Sequence, residues 1–250
     1  MGLAGWICKE LNVEMTTTQG EWVMGRLFSI GGTQEPEVYQ GFLRSAGCDE
    51  NGVDAGSKQV LSAKKLYQPV PHRYQRIRAG DKIAIGGHDW EVMIGYGHAF
   101  EHACLYSADL GVLIGGDQFL PKITPLVMLQ PHDPHTNALG EFLSSIQPFR
   151  RLPRDTVVLP SHNTPFRGLE IRIDQYEAHH AERLETTLRA CASLATVYEV
   201  GEVLFPKASK EASQLFFVIG ETLAHLRYLE IEDRVTRTMR DDGVILFAAN

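Results

Sequence analysis

The sequence predicts an α/β protein in which helices pack on the outer faces of sheets, followed by a small C-terminal unit. Three observations predict this class. Apolar side chains recur at helical spacing through residues 1–70, and from residue 77 they alternate with polar ones, as in strands. The last part of the chain returns to helical spacing and ends in a hairpin pattern. With 250 residues, the chain can form one large domain or a medium domain plus a small one.

Helices form the predicted N-terminal part. Glycine-containing breaks separate its amphipathic stretches, and Pro69 and Pro71 end the last stretch, because proline cannot continue a helix. The predicted helices cover residues 2–11, 21–30, 36–46 and 54–67.

The middle of the chain combines strands, a loop and two helices. Residues 86–89, Gly-Gly-His-Asp, predict a hairpin turn, and the Pro- and His-rich residues 121–136 predict a loop. The predicted strands cover residues 82–85, 90–94, 102–107, 110–114 and 156–159, and the predicted helices cover residues 139–149 and 169–196.

The C-terminal unit has the order helix, helix, β-hairpin, which is typical of winged-helix modules. The predicted helices cover residues 209–220 and 221–229, and the predicted strands cover residues 234–237 and 244–247. The turn Asp241-Asp242-Gly243 between these strands favours a hairpin. We therefore predict two domains, residues 1–198 and residues 199–250.

Composition indicates a globular protein of the cytoplasm. The net charge of -7 argues against nucleic-acid binding, which needs clustered Lys and Arg. The N-terminus lacks the basic start and apolar run of a signal peptide, and no stretch approaches the ~20 apolar residues that cross a bilayer. The scattered cysteines predict reduced thiols. They are Cys8, Cys48, Cys104 and Cys191.

Three segments each place a possible metal ligand in a loop after a predicted strand. They are residues 95–102, 115–118 and 159–163, which contain His98, Asp117 and His162 in that order. Imidazole and carboxylate groups suit zinc, manganese or iron, and loops at strand ends can bring such ligands together. Each segment alone is a weak signal, because a lone histidine or an Asp after two glycines is more often structural.

Together, in order and spacing, these segments resemble the metallo-β-lactamase superfamily. The resemblance implies an αββα sandwich in which a TPGH-type, an SGD-type and an LPGH-type segment supply His98, Asp117 and His162. It covers nearly the whole chain, including the winged-helix-like module that a bacterial hydrolase branch often carries. The sequence departs from the family pattern at Tyr96, where the family has Pro, and at Ser161, where Gly is usual.

The resemblance implies a metal-dependent hydrolase of an ester, thioester, lactone or related bond. The full family site holds two zinc ions, with manganese or iron as alternatives, and Asp117 would be the bridging ligand and catalytic residue. The family's HxHxDH motif and the strands before it are absent from the sequence, so the predicted fold is N-terminally incomplete. We expect weak metal binding and weak or absent hydrolysis. The alternatives are a natural protein that begins upstream, or a non-catalytic binding or assembly module.

Several further residues are weaker candidates for the site. Lys122, His132 and His135 could contact substrate, and the two histidines could also replace missing ligands, although a solvated loop explains all three. We expect His102 either to pack in the interior or to contact a metal ligand without binding the metal itself. His179 and His180 are expected on a helix face and in contact with ligands, and not as ligands themselves. The expected partners are a small-molecule substrate and a second copy of the chain. A nuclease function is disfavoured by the net negative charge, and DNA binding by the tail is disfavoured because its second predicted helix is acidic.

Overall fold

The computed structural model describes residues 2–30, 35–63 and 70–250. These residues form two compact units that alternate along the chain. Unit 1 comprises the described residues of Met1–Ile30, Tyr67–Leu126 and Glu141–Ala178. Unit 2 comprises the described residues of Gly31–Leu66, Val127–Gly140 and His179–Asn250. The boundary between residues 198 and 199 stays a prediction.

Unit 1 contains a five-stranded mixed sheet. Its strands are β3 (Lys82–Ile85), β4 (His88–Gly95), β5 (His102–Ser107), β6 (Val112–Gly116) and β7 (Val157–Pro160). They pair in the order β3-β4-β5-β6-β7, and every pair is antiparallel except β6 with β7. Because β6 and β7 are parallel, the loops that follow them leave the same edge of the sheet.

The rest of unit 1 begins with two helices and a short parallel pair of strands. These elements are α1 (Ala4–Leu11), β1 (Thr16–Thr17), α2 (Gln19–Ile30) and β2 (Gln75–Arg76), with β1 paired to β2. Helices α5 (Ala138–Ser145) and α6 (Leu169–Ala190) contribute residues to both units. Buried Tyr176 of α6 accepts a hydrogen bond from Leu120 N at 2.7 Å, so α6 holds the chain that follows β6.

Unit 2 combines four helices with a three-stranded antiparallel sheet. The helices are α3 (Glu35–Ser45), α4 (Glu50–Ala63), α7 (Val197–Leu204) and α8 (Leu215–Ile231). The strands β8 (Ala195–Thr196), β9 (Val235–Met239) and β10 (Ile245–Ala249) pair in the order β8-β10-β9. Leu43, Ile219, Leu226 and Phe247 are buried in its core.

The long predicted helix of residues 169–196 is too long by six residues. Helix α6 ends at Ala190, and α7, which the sequence analysis missed, begins after Thr196. Thr196 Oγ1 accepts a hydrogen bond from Glu199 N at 3.1 Å, and Glu199 Oε2 accepts one from Thr196 N at 2.7 Å. This reciprocal capping box satisfies free backbone donors, so Thr196 begins a helix and does not end one.

The two predicted helices of residues 209–220 and 221–229 are wrong, because a single helix, α8, crosses Gly220. A Cβ atom at Gly220 would lie 2.5 Å from Met128 Cε. The glycine therefore permits close packing and is not a helix break.

Two other helices differ from prediction at their ends. Helix α5 ends at Ser145, and a 3-10 turn at Gln147–Arg151 follows, because Pro148 lacks the backbone donor that would continue the helix. Helix α4 begins at Glu50, four residues before its predicted start, and residues 64–67 lie outside the described residues.

Two simpler predictions can be compared directly with the structure. All four cysteines are free thiols, as predicted. In the described part of the chain, no helix combines the length and apolarity that a bilayer span requires.

Candidate metal centre

His98 lies in the loop that joins β4 to β5. Gly97, directly before it, has a φ of 94°, a conformation that side chains disfavour, so glycine is needed for the turn. His98 Nδ1 lies 2.9 Å from the carbonyl oxygen of Leu126 and can donate to it. That contact favours the tautomer with its proton on Nδ1, which leaves a lone pair on Nε2, as in metal-binding histidines.

Asp117 follows β6 through a tight turn at Gly116, where φ is 52°. A Cβ atom at Gly116 would lie 2.6 Å from Cε1 of His102, so only glycine fits there. The backbone N–H of Asp117 donates to His102 Nε2 at 3.2 Å. His102 therefore orients the loop that carries Asp117.

The neutral form of His102 suits this role. Burial is the main cause that lowers its pKa, His98 adds to the lowering, and Asp117 opposes it. Its Nδ1 lies 3.6 Å from Cys104 Sγ, so both ring nitrogens have partners in the protein. His102 thus contacts the backbone of Asp117, which is one of the two roles expected for it from the sequence.

His162 lies two residues after β7 and is held through its neighbour, Ser161. Ser161 N donates to the carbonyl oxygen of Gly116 at 3.1 Å. Its hydroxyl donates to Asp117 Oδ1. The serine that replaces the usual glycine therefore ties the His162 loop directly to the Asp117 carboxylate.

The three predicted ligands meet at the Asp117 carboxylate. His98 Nε2 lies 3.7 Å from Oδ2, and His162 Nε2 lies 3.3 Å from Oδ1. Two donors on one tetrahedral zinc ion stand about 3.4 Å apart when each bond is about 2.1 Å. Both spacings are close to this value, so the donor set is chemically and geometrically suited to divalent metals.

The set is incomplete as a metal-binding shell. Each of two ions would receive two donors, one histidine nitrogen and one oxygen of Asp117. Zinc sites normally use at least three protein ligands. Across residues 2–30, 35–63 and 70–250, no group of three or more His, Cys, Asp or Glu side chains has a metal-binding arrangement. The residues present therefore fit part of a coordination shell for each ion.

Two glutamates that the sequence analysis missed hold the His98 loop against α2. Glu101 Oε2 accepts a hydrogen bond from Gly20 N at 2.7 Å, and Glu101 O accepts one from Thr18 Oγ1 at 2.8 Å. Burial raises the pKa of Glu21, and hydrogen bonds from the backbone of Glu101 and Phe100 oppose that shift.

The weaker candidates are exposed residues. Lys122 is exposed in unit 1. His132 and His135 are exposed residues of unit 2, where the His135 carbonyl oxygen accepts hydrogen bonds from Arg227 at 3.2 and 3.3 Å. Their contact with substrate stays a prediction.

Helix α6 carries His179 and His180, as expected. His180 is buried, and its Nδ1 lies 3.3 Å from Nε2 of His225 on α8. Burial is the main cause that lowers the pKa of His180 to about 3 and that of His225 to about 4. These neutral, buried rings serve packing within unit 2.

Comparisons with known proteins give matches along most of the chain. Residues 20–162 match the family model described as the metallo-beta-lactamase superfamily, and residues 184–250 match that of the metallo-beta-lactamase-like C-terminal domain. A curated relative is the probable metallo-hydrolase YqjP of Bacillus subtilis (strain 168), 27% identical over 151 residues. That match covers 59% of this chain but only 46% of the relative, so it spans about half of the relative's length.

Two solved structures match over the whole chain. A beta-lactamase domain protein from Burkholderia ambifaria is 35% identical with a TM-score of 0.88, and the match covers 100% of this chain and 71% of that one. A metallo-beta-lactamase family protein from Thermus thermophilus is 26% identical with a TM-score of 0.82, covering 100% and 75%. These matches confirm the predicted α/β fold class and the resemblance of the sequence to the metallo-β-lactamase superfamily.

Proposed function

Because the chain belongs to the metallo-beta-lactamase superfamily, we propose that it carries part of the active site of a metal-dependent hydrolase. The substrate bond would be an ester, a thioester, a lactone or a related bond. The observation that carries this proposal is the Asp117 carboxylate, whose two oxygens face Nε2 atoms of His98 and His162 at 3.7 and 3.3 Å.

Each residue of the cluster has a definite task in this proposal. His98 and His162 would hold one divalent ion each, and Asp117 would bridge the two ions. Members of the superfamily generally bind divalent metals, and zinc is our first choice, with manganese or iron as alternatives. When bound, such ions supply a water nucleophile of lowered pKa and polarise the scissile carbonyl.

Hydrogen bonds from neighbouring groups orient the proposed metal ligands. The Leu126 carbonyl sets the tautomer of His98, and His102 holds the Asp117 backbone at 3.2 Å. The Ser161 hydroxyl hydrogen-bonds to Asp117 Oδ1, the oxygen that faces His162, and so restrains the carboxylate. Such supporting contacts typically affect metal affinity by about 10- to 100-fold.

Weak metal binding by the described residues follows from the donor count of two per ion, and it would impair hydrolysis. The same observation favours the second candidate function, a non-catalytic member that acts as a binding or assembly module. The two functions differ in one measurable property, because only the hydrolase requires metal at Asp117.

Partners and location follow as further proposals. We place the protein in the cytoplasm with a small-molecule substrate, and we regard nucleic acid as an unlikely partner because of the net charge of -7. Exposed Leu3, Trp6 and Leu11 on and beside α1 support association with a second copy of the chain. Helices α7 and α8 followed by the β9–β10 hairpin support the winged-helix-like description.

Elemental analysis and metal titration of the purified chain test the proposal. The Asp117→Asn variant keeps the shape of the side chain but removes its charge, so we expect zinc affinity to fall by at least about tenfold. Any hydrolysis of simple ester, thioester and lactone substrates should require added metal and should be lost in this variant.

Asp89→Asn is the matched control, because Asp89 is exposed on β4 and the charge change is the same. The control should bind metal as the unmodified chain does. Metal binding and activity that survive Asp117→Asn would contradict the site assignment. A folded chain that binds no metal and hydrolyses none of the substrates would favour the non-catalytic module.

A further inference from the structure

Unit 2 contains a cavity that lies outside the candidate metal centre. Its volume is about 210 Å³, and residues of α3, α8, β9 and β10 line it. Buried Phe42, Leu223, Ile245 and Phe247 form an apolar floor. The charged residues of the lining are two arginines and one glutamate, so the cavity combines apolar and charged surface.

One of the two arginines is fully engaged by the protein. Arg227 Nη1 forms an ion pair with Glu230 at 2.8 Å, and its Nε and Nη2 donate to the carbonyl oxygen of His135 at 3.3 and 3.2 Å. Since Glu230 balances its charge, Arg227 shapes the wall of the cavity but leaves little positive charge for a ligand.

The other arginine is available. Arg237 lies directly opposite Phe247 in the antiparallel register of β9 and β10, so both side chains project from the same face of the sheet. Within the described ranges, its guanidinium has no ion pair and no side-chain hydrogen bond. The cavity therefore carries one uncompensated positive charge beside an aromatic ring, in a chain of net charge -7.

We infer that this cavity binds a small carboxylate with an aliphatic or aromatic body. The carboxylate would pair with Arg237, whose planar guanidinium presents two parallel donors that match its two oxygens. The apolar body would lie on Phe247, Ile245 and Leu223.

Size and charge narrow the class of ligand. Pockets for drug-sized molecules usually have volumes of about 300–1,000 Å³, so a cavity of about 210 Å³ suits a smaller molecule. Because Arg227 and Glu230 balance each other, the lining keeps the single positive charge of Arg237, which matches a monoanion better than a polyanion such as a nucleotide. The inference does not depend on the proposed hydrolase function.

Calorimetric titration of the full chain with phenylacetate and hexanoate tests the inference. We expect saturable binding of one equivalent of each carboxylate and no comparable binding of phenylacetamide, which lacks the charge. Arg237→Gln should weaken binding by at least about tenfold, because a charge-assisted pair is lost. Inorganic phosphate serves as the probe that has charge but no apolar body.

Two further variants separate binding from folding. A Cβ atom at Gly41, which also lines the cavity, would meet nothing within 4 Å, so Gly41→Leu should fill the space without disturbing α3 and should abolish binding. Arg240→Gln makes the same charge change in the same hairpin outside the cavity lining, and it should leave binding unchanged. The inference would be overturned if phenylacetate and phenylacetamide bound equally well, or if Arg237→Gln left the affinity unchanged. It would also be overturned if no carboxylate bound at millimolar concentration, or if phosphate bound as tightly as the carboxylates.

Discussion

Each unit of the molecule contains a pair of histidines, and the two pairs face different groups. In unit 1, His98 and His162 direct Nε2 toward the carboxylate of Asp117, and their side chains are 29% and 65% exposed. In unit 2, His180 and His225 are wholly buried and face each other at 3.3 Å. Exposure and a shared carboxylate thus distinguish the first pair from the second.

The comparison shows that paired histidines alone do not mark a functional site. Burial keeps the second pair neutral by lowering both pKa values. The first pair remains accessible to a ligand and has an anion beside it. The loops after β4, β6 and β7 carry His98, Asp117 and His162 at one edge of the sheet.

The largest effect on stability and metal binding should come from Gly116→Ala, which disturbs the loop that carries Asp117 between His98 and His162. The new methyl group would collide with the His102 ring, and the φ of 52° disfavours alanine. We expect the free energy of unfolding to fall by about 2–4 kcal/mol and metal binding to be lost. Chemical denaturation and metal titration measure the two effects.

Gly111→Ala is the matched control for that substitution. Gly111 has a similar φ of 61°, but a Cβ atom there meets nothing within 4 Å. It should cost only about 1 kcal/mol from backbone strain and leave metal binding intact. Equal losses in both variants would show that the His102 contact does not position Asp117.

A smaller effect of opposite sign should follow from Gln118→Met, next to the candidate bridging ligand. The Gln118 side chain is wholly buried, and neither of its amide atoms has a hydrogen-bond partner among the described residues. Methionine has a similar shape and no amide to desolvate. We expect the free energy of unfolding to rise by about 1–2 kcal/mol in chemical denaturation. A fall would show that the amide is hydrogen-bonded in solution.

The smallest effect concerns the surroundings of the second pair and depends on pH. Burial raises the pKa of Glu221 on α8 to about 7, and Arg183 opposes this shift. Because the unfolded side chain ionises near 4.5, stability that comes from the neutral carboxyl is present below pH 4.5 and is lost as the pH rises through about 7. Glu221→Gln cannot ionise, so it should stabilise the protein relative to the unmodified chain at pH 8 more than at pH 4.5.

Denaturation curves at both pH values measure this difference. His180 and His225 act in the opposite direction, since their contribution is lost as the pH falls below about 6.5, but both histidines are present in both proteins. Glu182→Gln on the exposed surface of α6 is the matched control for the loss of charge. A stability difference that does not change with pH would contradict a raised pKa of Glu221.

Local sequence patterns predicted most of the helices and strands of this fold. Alternation located β4 and β5, which both carry buried residues, and it also located β3, although no residue of that strand is buried. The patterns failed at Gly220 and Thr196, where tertiary contacts or a capping box decided the structure. A glycine that packs against Met128 and a glycine that breaks a helix look the same in sequence.

The candidate site was only partly predictable. The order and spacing of the three segments identified His98, Asp117 and His162, which the structure brings together. Their supports were not predictable, because Leu126 acts through a backbone carbonyl and Glu101 through contacts with residues about 80 positions away. Such contacts depend on the folded chain and leave no local pattern.

The parallel pairing of β6 and β7 has a consequence for how such proteins can diversify. A backbone hydrogen bond of 3.1 Å from Ser161 N to Gly116 O, at the end of the paired strands, ties the Asp117 loop to the His162 loop. Insertions or deletions between Gln118 and Asp155 can therefore remodel the surroundings of the carboxylate without changing the spacing of the two side chains. The anchored strand ends therefore keep Asp117 and His162 together while the intervening chain can vary in length and sequence.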